Sequence, residues 1–311
     1  MDADDLARRF GLGAAVGLSD GPIARGKQGV VWRLETTHGR WAVKVPFHRC
    51  REDDVQPATR FQEMAHGAGV PTPQVRRTVQ GHVFATVGGT QVRVYEWVDL
   101  ADPDPTLDPE LVGAAVAAMH QLNGAVAGPL DPWYHEPVGP DRWDQLVERL
   151  LVAGAPFADR LAGLRDELVA LESWMEPPQM LRTCHRDLWA DNVLPTMSGG
   201  ICVLDWENSG PADPSQELAC VLFEFARSDP ERVRALTSAY RDAGGPGRVS
   251  RRGHFSMLIA ELGHITETAA NDWIEPNLRS PDRAASAAWV SEVFDEPHTR
   301  ELLDSLLGAI P

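Results

Sequence analysis

The stretch His185-Arg186-Asp187-Leu188-Trp189-Ala190-Asp191-Asn192 sets a carboxylate and a carboxamide a few residues apart on one short loop. A second carboxylate, Asp205, follows eighteen residues after Asp187, in Ile201-Cys202-Val203-Leu204-Asp205-Trp206-Glu207. These residue types at this spacing suit phosphoryl transfer, which needs positioning and charge neutralisation more than covalent help. Asp187 is the candidate base for the proton of an attacking hydroxyl. Asn192 and Asp205 offer an oxygen-rich set for a hard cation such as Mg²⁺. The apolar run from Ile201 to Leu204 predicts a short buried strand that would present Asp205 rigidly at its end.

Phosphate charge also calls for a cation, and Lys44 is the candidate, placed in the alternating run Trp41-Ala42-Val43-Lys44-Val45-Pro46. Gly26-Lys27-Gln28-Gly29 precedes the first strand, where Gly26 and Gly29 would let backbone amides approach a phosphate. A carboxylate on the helix that follows should pair with Lys44; Glu63 is the first candidate and Glu52 the second.

The elements that must hold these groups are legible from periodicity and punctuation. Residues 30–35 and 41–46 alternate and are joined by Thr37-His38-Gly39-Arg40, which predicts a hairpin. A second hairpin pairs residues 82–87 with 90–98 across Gly88-Gly89, and a helix over 55–67 lies between the two. After a Pro/Asp-rich connector the pattern turns helical. Asp108-Pro109-Glu110 caps a helix running to about Leu122, and Leu161, Leu164, Leu168 and Leu171 mark another. Asp213-Pro214-Ser215-Gln216 opens a further helix through Leu218, Leu222 and Phe225. The expectation is an α+β chain: a small β-rich lobe over residues 1–98, then a larger helical lobe over 99–311, hinged near 96–107.

Composition narrows the class. A 43% hydrophobic and 24% charged chain of 311 residues has ordinary globular balance and length for a real core. The formal charge of −16 opposes nucleic-acid binding and would favour cationic ligands. Cys50, Cys184, Cys202 and Cys220 lack metal or disulfide spacing and read as reduced thiols. Neither a signal peptide nor a membrane span is legible, so the expected setting is cytoplasmic, without a membrane or nucleic-acid partner.

Taken together, the chain resembles the aminoglycoside phosphotransferase and choline kinase-like family over about residues 20–275. The likeness rests on Lys44, the Gly69-Val70-Pro71-Thr72-Pro73 turn and Tyr95-Glu96-Trp97-Val98. It continues through Met119-His120, the His185–Asn192 loop, Leu204-Asp205-Trp206-Glu207, Asp213-Pro214 and Glu217-Leu218-Ala219. The resemblance implies a two-lobed protein-kinase-like fold, adenine held by the backbones of Glu96 and Val98, Asp187 as base, and Asn192 with Asp205 on magnesium. Two departures stand out: Arg186 occupies a position where the family has a small residue, and the family's helix glutamate falls near Thr59. Trp206-Glu207 follows Asp205 and a capped helix begins at Asp213, which leaves no segment to dock a polypeptide, so no protein substrate is expected.

The acceptor site is expected on the C-terminal helices. Within residues 254–273, Glu261, His264, Thr268 and Asp272 recur at helical spacing, and Glu261, His264 and Asp272 are the candidate acceptor contacts. Residues 132–135 and Trp143 would add aromatic walls. The activity expected is transfer of the γ-phosphate of ATP or GTP, with Mg²⁺, to a hydroxyl of an aminoglycoside-like or other antibiotic or metabolite, a cationic one being favoured. A metabolic kinase for an amino alcohol, sugar or nucleoside, and a catalytically silent binding protein of the same fold, are the alternatives.

Overall fold

A computed structural model describes residues 1–26, 28–122, 126, 128–227, 229–275, 280–295 and 297–311. In chain order the elements are α1 (Ala3–Phe10), β1 (Ala15–Leu18), β2 (Ala24–Arg25), β3 (Gly29–Thr36), β4 (Gly39–Pro46), α2 (Glu52–Gly67), β5 (Val75–Arg76), β6 (Ala85–Val87) and β7 (Thr90–Glu96). Next come α3 (Pro109–Gln121), α4 (Pro140–Ala153), α5 (Ala158–Glu172), β8 (Arg182–Cys184), β9 (Val193–Pro195), β10 (Ile201–Val203) and β11 (Gly210–Ala212). The chain ends with α6 (Pro214–Phe225), α7 (Pro230–Asp242), α8 (Ser256–Ile274), α9 (Ser280–Asp295) and α10 (Arg300–Ala309). Short 3-10 turns cover Pro132–Tyr134, Trp206–Asn208 and Arg252–Phe255.

Residues 1–105 and 187–210 form one compact unit; residues 106–186 and 211–311 form the other. In the first, an antiparallel sheet runs β1-β3-β4-β7-β5, with β2 added to β3 and β6 to β7. The two predicted hairpins are there: β3 pairs with β4 from Gly29↔Pro46 to Thr36↔Gly39, and β6 with β7 across Gly88-Gly89. Alternation sends Leu34, Trp41, Val43, Val92 and Val94 to one face, where they pack with Leu6 and Phe10 of α1. Asp2 caps that helix by accepting from the amides of Asp4 and Asp5. The sequence reading passes over α1, because eight residues carry too short a periodic signal.

The sequence reading places residues 187–210 with the helical lobe, whereas in the structure they cluster with residues 1–105. Backbone bonds explain the difference. Val203 donates to the carbonyl of Pro71 at 2.7 Å, and Leu100 bridges Thr196. The β9–β10 hairpin is thereby stitched to the first unit.

The second unit is helical. Its core gathers Trp143, Leu146 and Leu150 of α4, Leu161 and Leu168 of α5, Ala269 and Ala270 of α8, and Val290 and Phe294 of α9. Asp108 and Asp213 cap α3 and α6 with proline in the first turn, as their sequences predict. All four cysteines are free thiols. Among the described residues, no helix is long and apolar enough to cross a membrane.

Candidate active site

Asp187 begins the segment that joins the first unit, and three backbone bonds shape the loop after it. Asn192 and Val193 both donate to the carbonyl of Trp189, at 2.9 and 3.0 Å, folding the loop into a turn. Leu204 donates to the carbonyl of Asn192 at 2.8 Å, extending the β9–β10 ladder by one step beyond Val203↔Val193. Asn192 and Asp205 therefore leave the same end of one hairpin. The Asn192 amide nitrogen donates to the carbonyl of Asp187 at 3.0 Å, which turns its oxygen away from that bond. Asp205 has φ 54° and Arg186 has φ 64°, the left-handed region that non-glycine residues rarely occupy. Such backbone strain persists only where surrounding structure over-determines it, and here it brackets the candidate residues on both sides.

Asn208 is the residue the sequence reading missed beside Asp187. Its amide donates to Asp187 Oδ2 at 2.9 Å and so sets the rotation of that carboxylate. It sits in the 3-10 turn after Asp205, which Trp206 anchors. The Trp206 indole donates to Thr72 Oγ1 at 2.9 Å and meets Phe61 of α2 edge-on at 5.4 Å. The only sequence signal for Asn208 was its nearness to Asp205.

In the helical unit the peptide just before Asp187 is pinned separately. The Arg186 amide donates to the buried Glu217 carboxylate. The other oxygen of Glu217 meets His120 Nε2 at 2.6 Å, and His120 Nδ1 meets the Tyr240 hydroxyl at 2.8 Å. Burial alone would push the Glu217 carboxyl up; His120 and the Arg186 amide outweigh it and hold the group below the usual range. The Arg186 guanidinium lies over the Tyr134 ring, 4.4 Å from its centroid. That ring contact gives the bulk of Arg186 a packing partner at a position expected to be small.

Lys44 departs from the sequence expectation. Its ammonium donates to Asp205 and to Glu207, each at 2.8 Å, and not to a carboxylate of α2. Glu63 is held in a two-pronged pair with Arg77, at 2.6 and 2.9 Å. Glu52 accepts from the Val83 amide and from Gln56, both at 3.0 Å. Burial lowers the Lys44 ammonium, but Glu207 and Asp205 more than compensate, so it stays charged. Burial and then Glu207 push the Asp205 carboxyl up against the pull of Lys44. Glu207 goes the other way: burial opposes its ionisation, yet Asp205, Lys44 and Arg93 hold it well below the usual range. The lysine serves two acids, and Glu207 is the firmly ionised one.

At the glycine turn, Gly26 donates to the Gly29 carbonyl at 3.0 Å, closing the link from β2 to β3 and spending its own amide there. A Cβ on Gly29 would lie 2.4 Å from the Val45 carbonyl oxygen, so close strand approach requires glycine. Lys27 lies outside the described residues. At the end of β7 the Glu96 amide donates to the Gln74 carbonyl at 2.9 Å, leaving Glu96 its carbonyl, while Val98 follows β7 and is half-buried.

The α8 stripe does not stay together as one solvent edge. Glu261 is 3% exposed and His264 7%, while Asp272 is open. The first half of α8 is buried on nearly every face, which an i, i+3, i+4 count cannot distinguish from an amphipathic edge. His264 Nε2 meets the Glu136 carbonyl at 3.0 Å and its ring stacks on Trp133 at 5.4 Å. Trp143 is a core residue, 1% exposed, whose indole donates to Glu172 at 2.8 Å.

Comparison with known proteins bears on the fold and the family. No curated protein matches the chain. Solved structures do, at low identity. A spectinomycin phosphotransferase solved with ADP and spectinomycin shares 14% identity at a TM-score of 0.69, over 98% of this chain and 97% of that one. An aminoglycoside phosphotransferase from Alicyclobacillus acidocaldarius shares 17% at 0.60, over 93% and 92%. A choline/ethanolamine kinase family protein from Mesorhizobium loti shares 19% at 0.53, over 93% and 92%. At these identities the likeness establishes a protein-kinase-like α+β fold. The family model reaches further, because it matches residues 21–254 and so spans β2 to the turn before α8, including both acids and Lys44. On that match the chain belongs to the phosphotransferase enzyme family.

Proposed function

We propose that the chain is a Mg²⁺-dependent small-molecule O-phosphotransferase, moving the γ-phosphoryl group of ATP or GTP onto a hydroxyl of an aminoglycoside-like or other antibiotic or metabolite. The observation that supports this best is the hairpin end that carries Asn192 and Asp205 together, with Lys44 on Asp205 and Asp187 oriented by Asn208. A metal-binding role fits the donor chemistry: Asn192 has committed its nitrogen to the Asp187 carbonyl, which leaves its amide oxygen as a hard donor on the hairpin end that also carries Asp205. Asn192 and Asp205 would hold the ion. When bound, Mg²⁺ supplies charge neutralisation at the phosphate oxygens.

The chain's own residues supply the remainder. Asp187 accepts the proton of the acceptor hydroxyl as the oxygen attacks phosphorus. Lys44 neutralises phosphate charge from the sheet. The Glu96 carbonyl and the Val98 backbone would hold the nucleotide base at the hinge.

A cationic acceptor follows from the charge of −16 and from Asp272, the α8 acid open to solvent. Glu261 and His264, both buried, would shape α8 from within. An acceptor screen tests the reading: triphosphate consumption with Mg²⁺ against aminoglycosides, nucleoside antibiotics, choline and amino sugars. Turnover with at least one hydroxyl acceptor is expected, with a KM that rises with salt as screening sets in. No consumption across the panel, with no nucleotide binding, would overturn the function; a KM flat with salt would remove the cationic acceptor alone.

A further inference from the structure

Lys44 on β4 and Arg93 on β7 are direct cross-strand partners. Two cations facing each other across an antiparallel ladder repel, and Arg93 is only 6% exposed, so water screens it little. One carboxylate oxygen resolves the conflict. Glu207 Oε1 accepts from Lys44 Nζ at 2.8 Å and from Arg93 at 2.9 Å. The other terminal nitrogen of Arg93 donates to Thr59 Oγ1 at 3.1 Å, on the buried face of α2. Thr59 is itself tied back to the Val55 carbonyl at 2.8 Å. Phe84 and Tyr95 lie against the guanidinium, 5.5 and 5.3 Å from its carbon, so Arg93 is walled in.

The sequence led to a helix acid as the partner of Lys44, yet the acids of α2 singled out for it are spent elsewhere, and Thr59 holds Arg93 instead. We propose that Glu207 is the positioning residue of Lys44, anchored from behind by Arg93 and Thr59. The alignment of the phosphate-binding lysine then depends on the loop after Asp205, and no carboxylate of α2 is needed for it. The two acids on Lys44 differ in what else they must do. Asp205 is the carboxylate a metal would claim, which would loosen its grip on the ammonium. Glu207 has a second cation of its own, so its position does not depend on Lys44 or on a metal.

This inference rests on the phosphotransferase reading, and nucleotide binding separates the two. Titration of the full chain with a fluorescent ATP analogue and Mg²⁺, alongside kcat, KM and melting temperature, reads both. Glu207→Gln should lower kcat/KM for nucleotide by about 10- to 100-fold, the worth of a charge-assisted bond. On a Lys44→Met background the same change should cost no more than about twofold, because it acts through Lys44. Arg93→Met should follow Glu207→Gln in direction, and Arg93→Lys should recover part of the loss. Glu63→Gln and Glu52→Gln should stay near wild type. If Glu207→Gln does not fold, Thr59→Val leaves both charges in place and should still weaken analogue binding.

Several results would overturn the inference: wild-type binding by Glu207→Gln or Thr59→Val, a full loss persisting on Lys44→Met, or a Glu63→Gln or Glu52→Gln variant as damaged as Lys44→Met. A raised Mg²⁺ requirement in Glu207→Gln but not Arg93→Met would make Glu207 a metal ligand and also overturn it. Failure of the unaltered chain to bind nucleotide would overturn the function and this inference with it.

Discussion

Asn208→Ala removes one donor from the Asp187 carboxylate. The bond is 2.9 Å long and its acceptor is charged, the class of hydrogen bond worth about 1.5–3 kcal/mol. If that bond holds Asp187 in its reactive orientation, its loss falls on the transition state and lowers kcat by about 10- to 100-fold. The turn that carries residue 208 has its own supports: Ser209 donates through its amide to the Trp206 carbonyl at 2.9 Å, and the Trp206 indole stays on Thr72. The melting temperature should therefore move little. Nucleotide KM should change by less than about threefold, since Lys44 keeps Asp205 and Glu207. Asn208→Asp should cost more than Asn208→Ala, because it sets a second carboxylate against the first. Steady-state kcat and KM for both substrates, with a thermal melt, decide it. A kcat within twofold of wild type in Asn208→Ala, or a raised nucleotide KM at unchanged kcat, would refute the idea that Asn208 orients Asp187.

Three further outcomes are expected from the geometry. Asp205→Ala should abolish the Mg²⁺ dependence of nucleotide-analogue binding, read by titration with and without metal; unchanged dependence would remove the assignment. Gly29→Ala drives a Cβ into the Val45 carbonyl, 2.4 Å away, and should cost about 2 kcal/mol of stability by melting or denaturant titration. His298 is 3% exposed, its Nδ1 has no hydrogen-bond partner, and burial lowers it from 6.5 to about 4. Between those values the unfolded chain binds a proton that the folded chain refuses, so stability falls as pH drops from 6.5 to 4, by about 3 kcal/mol in all. His298→Phe should flatten that part of the profile in melts across pH, and an unchanged slope would show that other groups carry it.

The features legible in the sequence were local. The β3–β4 hairpin follows from alternation and one turn, and the starts of α3 and α6 from an Asp-Pro cap. The loop from His185 to Asn192 and the strand before Asp205 could be read because each is a short contiguous word. The features that escaped it depend on distant partners. Arg93 meets Glu207 across 114 positions and Lys44 meets it across 163, so nothing in either local pattern marks them as a group. Glu63 is a helix acid of the right type one turn past Thr59, but Arg77 competes for it from fourteen residues away. On α8 the periodic stripe was real, yet periodicity alone does not say that both sides of the first half are covered. For Asn208 and α1 the reason is simpler: an isolated asparagine and an eight-residue helix carry little signal.

Asp187 is the residue on which the proposed transfer depends most directly. The decisive measurement is transfer of labelled γ-phosphate from ATP or GTP to the best hydroxyl acceptor, wild type against Asp187→Asn, with nucleotide affinity titrated in parallel. Turnover should fall by about two to four orders of magnitude, the usual worth of a positioned base, at nearly unchanged nucleotide affinity. Near-normal turnover in Asp187→Asn would contradict that role.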